Sequence, residues 1–409
     1  MAGRRSVARR PREGPCGPAP AATKTGATVR EFLTGNQAIV RGALRAGCDY
    51  VAGYPITPAS SILTDFVHAF ADGSGIVVQA EDEIAAIGQC IAASMCGARA
   101  LTATSGPGLS LYSENIGYAQ MIEAPLVIVD CQRMGPATGG ATSTGEGDVL
   151  FARHVTAGSY PLPVLAATDA ASAYRLTHDA FQIAERLRTP VIVLASKDIS
   201  STRQTVDLEA VKLLPRTERR LAPPNEPFRP YAVDSPADVP AFAPVGGPTR
   251  VRVTGSIHDE CGVLTIDKTK IARKLTHLHE KIRAHAESLE DVDADLDPQA
   301  RVLIVAYGLP DGAARDATDE LRAAGVAVSR LTIYGLWPVP ERALRQAATR
   351  SVEHVVIPEL NIGLYADELR RVLPHTTVHA ITRYDGGLIE PGTIVERVRE
   401  LARGAVTAR

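Results

Sequence analysis

The chain has 409 residues and a mass of 43.4 kDa, which at roughly 100 to 200 residues per domain implies two or three domains and excludes a single small binding module. Hydrophobic residues make up 45% and charged residues 22%, a balance that supplies a large core and excludes wholesale disorder. Forty-four Lys and Arg stand against forty-six Asp and Glu, so there is no chain-wide field to gather nucleic acid, and no apolar run reaches the ~18 residues of a membrane span. The cysteines Cys16, Cys48, Cys90, Cys96, Cys131 and Cys261 are scattered without a CxxC pair. That reads as reduced thiols of a cytoplasmic protein with no iron-sulfur cluster or structural zinc of its own.

Residues 1–28 are rich in Arg, Pro, Ala and Gly and read as a disordered basic tail. Over 29–200 short apolar runs bounded by Gly and Pro alternate with helical patterns. The runs 50-YVAGYP, 76-IVVQA, 100-ALTATS, 126-LVIVDC and 190-PVIVLAS have the character of strands buried on both faces of a parallel sheet. Helices are expected over Asn36 to Ala46, Glu83 to Cys96 and Ala170 to Leu187, the last as a surface helix. Residues 201–297 read as a Pro-rich connecting arm that holds one helical stretch beginning near Ile266. The α/β rhythm resumes over 298–409 with 302-VLIVAYG, a helix from about Asp311 to Ala324, 326-VAVSRLTI and 355-VVIPE. The fold class is therefore α/β in two blocks.

The triplet Glu81, Asp82 and Glu83 opens an Ala-rich helix directly after a buried-strand pattern. Acids there serve as helix caps, and the competing reading points one carboxylate at a cofactor nitrogen. In 104-TSGPG, Ser105 and Gly106 follow a strand, at the sheet edge where α/β proteins bind ligands. It is neither a Walker A sequence nor GxGxxG, and a plain tight turn competes equally. In 53-GYPITP, Pro55, Ile56 and Pro58 stiffen the turn that carries Thr57. Arg133 precedes the hydroxyl-rich 135-GPATGGATSTG, and a guanidinium there suits a carboxylate, although a lone loop Arg is often only a solvated charge. Cys131 reads as a small buried hydrophobe, and His258, His277, His279 and His285 make no metal triad.

In order, 34-TGNQAIVRGALRAG, 53-GYPITPASS, 79-QAEDEIAAIG, 102-TATSGPGLSL, 132-QRMGPATGGAT and 254-TGSIHDECG, followed by 305-VAYG, 336-LWPVP and 358-PELNIG, resemble the alpha subunit of 2-oxoacid:ferredoxin oxidoreductases, most of all the 2-oxoglutarate type. The resemblance spans residues 30 to 409. It implies a pyrimidine-binding thiamine diphosphate domain followed by a smaller transketolase C-terminal-like domain. It also implies that thiamine diphosphate is shared with a beta subunit, which carries Mg and the iron-sulfur cluster. Glu83 takes the position of the carboxylate that bonds the pyrimidine ring. Thr57 and Arg133 take substrate-facing positions, with Pro55, Ile56, Ser105 and Gly106 beside the cofactor.

The implied reaction is oxidative decarboxylation of a 2-oxo acid with coenzyme A, giving acyl-CoA and carbon dioxide, with ferredoxin as electron acceptor. Some relatives run it reductively. Only about 30 residues precede the first motif, so a gamma domain is expected on a separate chain or not at all. Met134 stands where many relatives have Gly, and Leu364 where Gln is frequent, which leaves the choice of oxo acid among 2-oxoglutarate, pyruvate, branched-chain and aryl substrates. The competing readings are a non-catalytic scaffold of the same fold and a transketolase-like enzyme that turns over without ferredoxin.

Overall fold

A computed structural model describes residues 30–223 and 227–404; the basic stretch 1–28 lies outside them. The five expected strands form at Tyr50–Gly53, Ile76–Gln79, Ala100–Thr104, Leu126–Gln132 and Pro190–Ser196. They are the parallel body of a seven-stranded sheet, whose spatial order starts with Gly335–Trp337 and Val164–Ala166 and continues through Pro190–Ser196, Leu126–Gln132, Ala100–Thr104, Tyr50–Gly53 and Ile76–Gln79. Leu126–Gln132 is buried along its whole length, as a strand covered on both faces must be. Its alternate residues feed two cores: Val127, Val129 and Cys131 pack with helices Gly35–Ala46, Ser60–Ala69 and Ala170–Leu187, while Leu126 and Ile128 pack with Glu83–Met95 and Gly106–Met121.

The second sheet has the order Thr377–Thr382, His354–Glu359, Val302–Ala306, Ser329–Ile333 and Val292–Asp295, the last antiparallel. Leu303, Val305, Ile357 and Tyr365 join the core of the first sheet's second face. Val302, Ile304 and Val356 point the other way, onto helices Pro310–Ala323 and Pro391–Gly404. The two blocks also exchange backbone. Gly335–Trp337, carried by 336-LWPVP, leaves the second block and pairs antiparallel with Val164–Ala166 at the edge of the first sheet, covering an edge that would otherwise stand open.

The helix Ala170–Leu187 departs from its expected surface position, since most of it is buried. On one side Gly42 lets helix Gly35–Ala46 approach so closely that a Cβ there would lie 2.2 Å from the Tyr174 carbonyl oxygen. The polar side is covered by the Pro-rich arm. Asp179 accepts from Leu214 N (2.9 Å), Gln182 accepts from Thr217 N (2.8 Å) and Glu185 pairs with Arg219. Its amphipathic pattern reflects backbone and side-chain partners in the arm, where the sequence suggests water.

Candidate active site

Residues expected to carry chemistry gather at the C-terminal ends of the parallel strands, the edge where such sheets bind ligands. After strand Ile76–Gln79, Asp82 caps helix Glu83–Met95 by accepting from Ala85 N at 2.7 Å. Capping therefore belongs to Asp82, and Glu83, the first helical residue, is buried without that duty. Its carboxylate lies against the turn after strand Ala100–Thr104: a Cβ on Gly108 would come 2.8 Å from Glu83 Oε1 and 2.0 Å from Thr104 Oγ1. Only glycine fits there. Gly106, at the start of helix Gly106–Met121, lies against the Asp148 carboxylate, where a Cβ would come 3.0 Å from Oδ2. Ser105 is fully buried and its Oγ has no partner.

The turn 53-GYPITP leaves Pro55 and Thr57 exposed and Ile56 half-buried, with a cis peptide between Thr57 and Pro58. Arg133, buried at the end of strand Leu126–Gln132, reaches this turn. Its Nη1 donates to the Thr57 carbonyl at 2.6 Å and its Nη2 to the Thr138 carbonyl at 3.2 Å. The contact is thus with the backbone of Thr57, and the hydroxyl remains open. Asn36 fastens the turn from below, donating to Pro58 O and Ser61 Oγ, both at 2.8 Å. Its Oδ1 accepts from Cys131 Sγ at 3.5 Å. Burial pushes the Cys131 thiol up to about 12, which suits the inert reading of that residue.

The loop after Arg133 runs to Glu146, which is gripped by the second block. Glu146 N donates to Leu360 O, Asn361 Nδ2 donates to Glu146 O and to Tyr307 Oη, and Leu309 N donates to Glu146 Oε1 at 2.8 Å. Gly308, at φ +61°, would put a Cβ within 2.6 Å of that carboxylate. The motifs 305-VAYG and 358-PELNIG therefore converge on one residue of the site loop. Burial, with the nearby charge of Glu359, pushes the Glu146 carboxyl up to about 8 against the pull of the Leu309 amide.

Eleven buried side-chain atoms among the described residues lack a hydrogen-bond partner, and seven belong to Ser105, Asp130, Gln132, Arg133, Glu146 and Asp148. Orphaned polar atoms are rare in folded interiors. Their concentration at one sheet edge marks a place completed by a ligand. Asp130, Glu146, Asp148 and Asn36 were not singled out as site residues from the sequence, although an acid inside the apolar run 126-LVIVDC was a visible signal for the first.

Residues 41–277 match the family model described as pyruvate flavodoxin/ferredoxin oxidoreductase, thiamine diphosphate-binding, and residues 300–394 match pyruvate:ferredoxin oxidoreductase core domain II. The chain belongs to the 2-oxoacid:ferredoxin oxidoreductases. The 2-oxoglutarate synthase subunit KorA of Methanothermobacter thermautotrophicus is 35% identical over 381 residues, covering 92% of this chain and 100% of that protein. The KorA of Archaeoglobus fulgidus is 37% identical over 368 residues, 90% of this chain and 98% of that one. The solved 2-oxoglutarate:ferredoxin oxidoreductase of Magnetococcus marinus, with 2-oxoglutarate, coenzyme A and succinyl-CoA bound, superposes with a TM-score of 0.84 at 29% identity. The match covers 91% of this chain and 65% of that one.

The α/β fold is thus a thiamine-diphosphate-binding one, and the residues present fit the cofactor. Glu83 is a buried carboxylate free of capping, the turn 104-TSGPG is cleared of side chains at Gly106 and Gly108, and the surrounding polar atoms are unpaired. The relatives are named as subunits, so the protein is one member of a multi-subunit complex. No helix among the described residues is long and apolar enough to cross a membrane.

Proposed function

We propose that the protein is the alpha subunit of a cytoplasmic 2-oxoglutarate:ferredoxin oxidoreductase, oxidising 2-oxoglutarate with coenzyme A to succinyl-CoA and carbon dioxide, with electrons passing to ferredoxin. The observation that carries this is Glu83, held buried against a turn where only glycine fits at position 108, in a chain that aligns over 90 to 92% of its length with 2-oxoglutarate synthase subunits. Residues 29–200 act as the pyrimidine-binding domain, 201–297 as the arm and 298–409 as the second domain. A beta subunit supplies the diphosphate and Mg site and the iron-sulfur cluster.

Bound thiamine diphosphate supplies the electron sink for loss of carbon dioxide. Glu83 holds a proton against a nitrogen of the pyrimidine ring, in surroundings where burial strengthens the bond. Pro55, Ile56, Ser105 and Gly106 shape the cofactor's bed. Arg133, already fixed by two carbonyl oxygens, receives a substrate carboxylate with its remaining N–H groups, and the open Thr57 hydroxyl orients the oxo group. The loop from Met134 to Glu146, anchored on the second block, screens the site from water.

The same chemistry on a pyruvate, branched-chain or aryl 2-oxo acid is the second reading. Met134 motivates it: its backbone bridges to Gly140 and its sulfur lies 3.7 Å from the position of a Cβ on Gly386, so its bulk fills space on one side of the loop. The test is anaerobic reconstitution with the partner subunit, followed by coenzyme A-dependent viologen reduction with each oxo acid. The expected result is the highest kcat/KM for 2-oxoglutarate. Reduction led by another oxo acid moves the assignment to the second reading, and an assembled complex inert with all of them makes the chain a scaffold.

A further inference from the structure

The first motif of the chain, 34-TGNQAIVRGALRAG, has no part in the chemistry assigned so far. Its Asn36 is nevertheless 1% exposed and turns its whole amide away from its own helix. Nδ2 donates to Pro58 O and to Ser61 Oγ, both at 2.8 Å, and Oδ1 accepts from Cys131 Sγ at 3.5 Å. A flipped amide would set Oδ1 against the Pro58 carbonyl, acceptor against acceptor, so the partners fix its orientation. Pro58 follows Thr57, and Cys131 stands two residues before Arg133. One amide thus ties the turn that carries the open hydroxyl to the strand that carries the guanidinium. We propose that Asn36 is a positioning residue of the reaction, which sets where the Thr57 hydroxyl meets the substrate by holding the Pro58 carbonyl. The inference rests on Thr57 orienting the oxo group, as proposed above.

Asn36 can act as a fixed point because the start of its helix is pinned. Thr34 and Gln37 form a capping box, in which Gln37 N donates to Thr34 Oγ1 and Thr34 N to Gln37 Oε1, both at 3.1 Å. Gly35 packs on helix Lys197–Ser201 so closely that a Cβ there would lie 2.2 Å from the Ile199 carbonyl oxygen. The turn is held less firmly from within. Pro55 and Pro58 have no N–H to give. The Ile56 carbonyl accepts from Ser60 N at 2.9 Å, while the carbonyls of Thr57 and Pro58 find their donors on Arg133 and Asn36.

These two supports differ in what a substrate does to them. Arg133 Nη1 donates to Thr57 O at 2.6 Å, yet the same guanidinium is assigned to the substrate carboxylate, and a bidentate ion pair competes for its N–H groups. The Asn36 amide carries no charge for the ligand to pull, so its bond to Pro58 O is the constant support of the turn. Asn36 is buried and Thr57 exposed, and the effect passes through the backbone between Thr57 and Pro58. Misplacing an orienting hydroxyl weakens the transition state more than the ground state, which Arg133 holds by charge. Loss of Asn36 therefore falls on kcat, and loss of Arg133 on KM.

The experiment uses the reconstituted complex. Asn36→Ala is expected to lower kcat with 2-oxoglutarate by about 10- to 100-fold, with KM and the dissociation constant of thiamine diphosphate within about twofold of wild type. Thr57→Val keeps the branched shape, removes the hydroxyl and should lower kcat as far. Adding Asn36→Ala to Thr57→Val should then cost little more, because no hydroxyl is left to misplace. Ser61→Ala frees the other half of the amide and should leave kcat near wild type. Losses that multiply in the double variant overturn the proposal, and so does a Ser61→Ala complex as impaired as Asn36→Ala. A rise in KM or weaker cofactor binding, in place of the fall in kcat, overturns it as well and makes Asn36 a support of the whole pocket. A Thr57→Val complex with wild-type kcat removes the reading of Thr57 on which the proposal stands, whereas an impaired Thr57→Val with multiplying losses fails the proposal alone. If Asn36→Ala does not assemble, Asn36→Gln carries the same cycle, since it keeps the amide on an arm one methylene longer and pushes the turn instead of releasing it. Failure of both variants to assemble makes Asn36 a folding residue and overturns the proposal.

Discussion

The two ends of strand Leu126–Gln132 bury charge in opposite ways. Before it, Glu123 is fully buried, and accepts from Lys274 Nζ and Lys281 Nζ at 2.7 Å and from His277 Nε2 at 2.9 Å. His277 also points Nδ1 at the Pro236 carbonyl at 2.9 Å. Both ring nitrogens thus face acceptors. Burial works against ionisation of Glu123, but these cations outweigh it and hold its carboxyl well below the ordinary range. At the strand's C-terminal end, Asp130, Gln132 and Arg133 keep buried polar atoms unpaired. A charge whose bonds are all made locks the arm helix Lys268–Ala284 to the domain, whereas unmade bonds are kept for a ligand.

That contrast breaks first at Glu83. Glu83→Gln is expected to lower kcat of the reconstituted complex by about 10³-fold while thermal stability and complex assembly stay as in the wild type. A melting temperature that drops with the activity would place Glu83 with the structural charges. Glu123→Ala should behave in the opposite way. Removing the anion strands Lys274, Lys281 and His277, so unfolding in denaturant is expected to become easier by about 3 to 5 kcal/mol. Adding Lys281→Met should recover part of that loss. A fully stable Glu123→Ala protein would mean that the lysines find other anions and the lock is not needed.

Glu146 sits between the two kinds of charge, with one oxygen satisfied by Leu309 N and the other orphaned. Its folded-state value of about 8 lies above the ordinary 4.5, so between those pH values the folded protein holds a proton that the unfolded chain releases. Its contribution to stability is therefore complete below pH 4.5 and is lost as pH rises to about 8. Melting temperatures measured across that window should fall in the wild type and stay flatter in Glu146→Gln, whose amide still accepts from Leu309 N. Parallel curves would show that the grip on Glu146 does not depend on its proton.

Much of this was legible in the sequence. The five expected parallel strands and the helices at Gly35–Ala46 and Glu83–Met95 follow from apolar runs and helical spacing that tertiary contacts did not override. The short strand Val164–Ala166 and its partner Gly335–Trp337 were not legible, because three-residue strands have no period to detect and their pairing crosses between blocks. The same limit hid the burial of helix Ala170–Leu187, since a polar face looks alike whether water or the arm satisfies it. Within the site, the acid triplet and Arg133 stand out by residue type and position, and the resemblance to the family selects Glu83 among the three acids. Asp130, Asp148 and Glu146 are defined by the unpaired buried atoms they carry, which only the folded chain assembles.

The smallest expected effect concerns specificity at the edge of the unpaired end. Met134 leans on Gly140, where a Cβ would lie 2.6 Å from Cε, and its sulfur approaches Gly386 of the second block. Shortening it keeps the backbone bridge between Met134 and Gly140 and opens only side-chain volume. Met134→Ala should therefore leave stability nearly unchanged and shift the ratio of kcat/KM between a branched-chain oxo acid and 2-oxoglutarate by about tenfold toward the bulkier chain. The shift should appear in KM more than in kcat, because the groups that act on the reacting carbon are untouched. An unchanged ratio would place the specificity wall outside this loop.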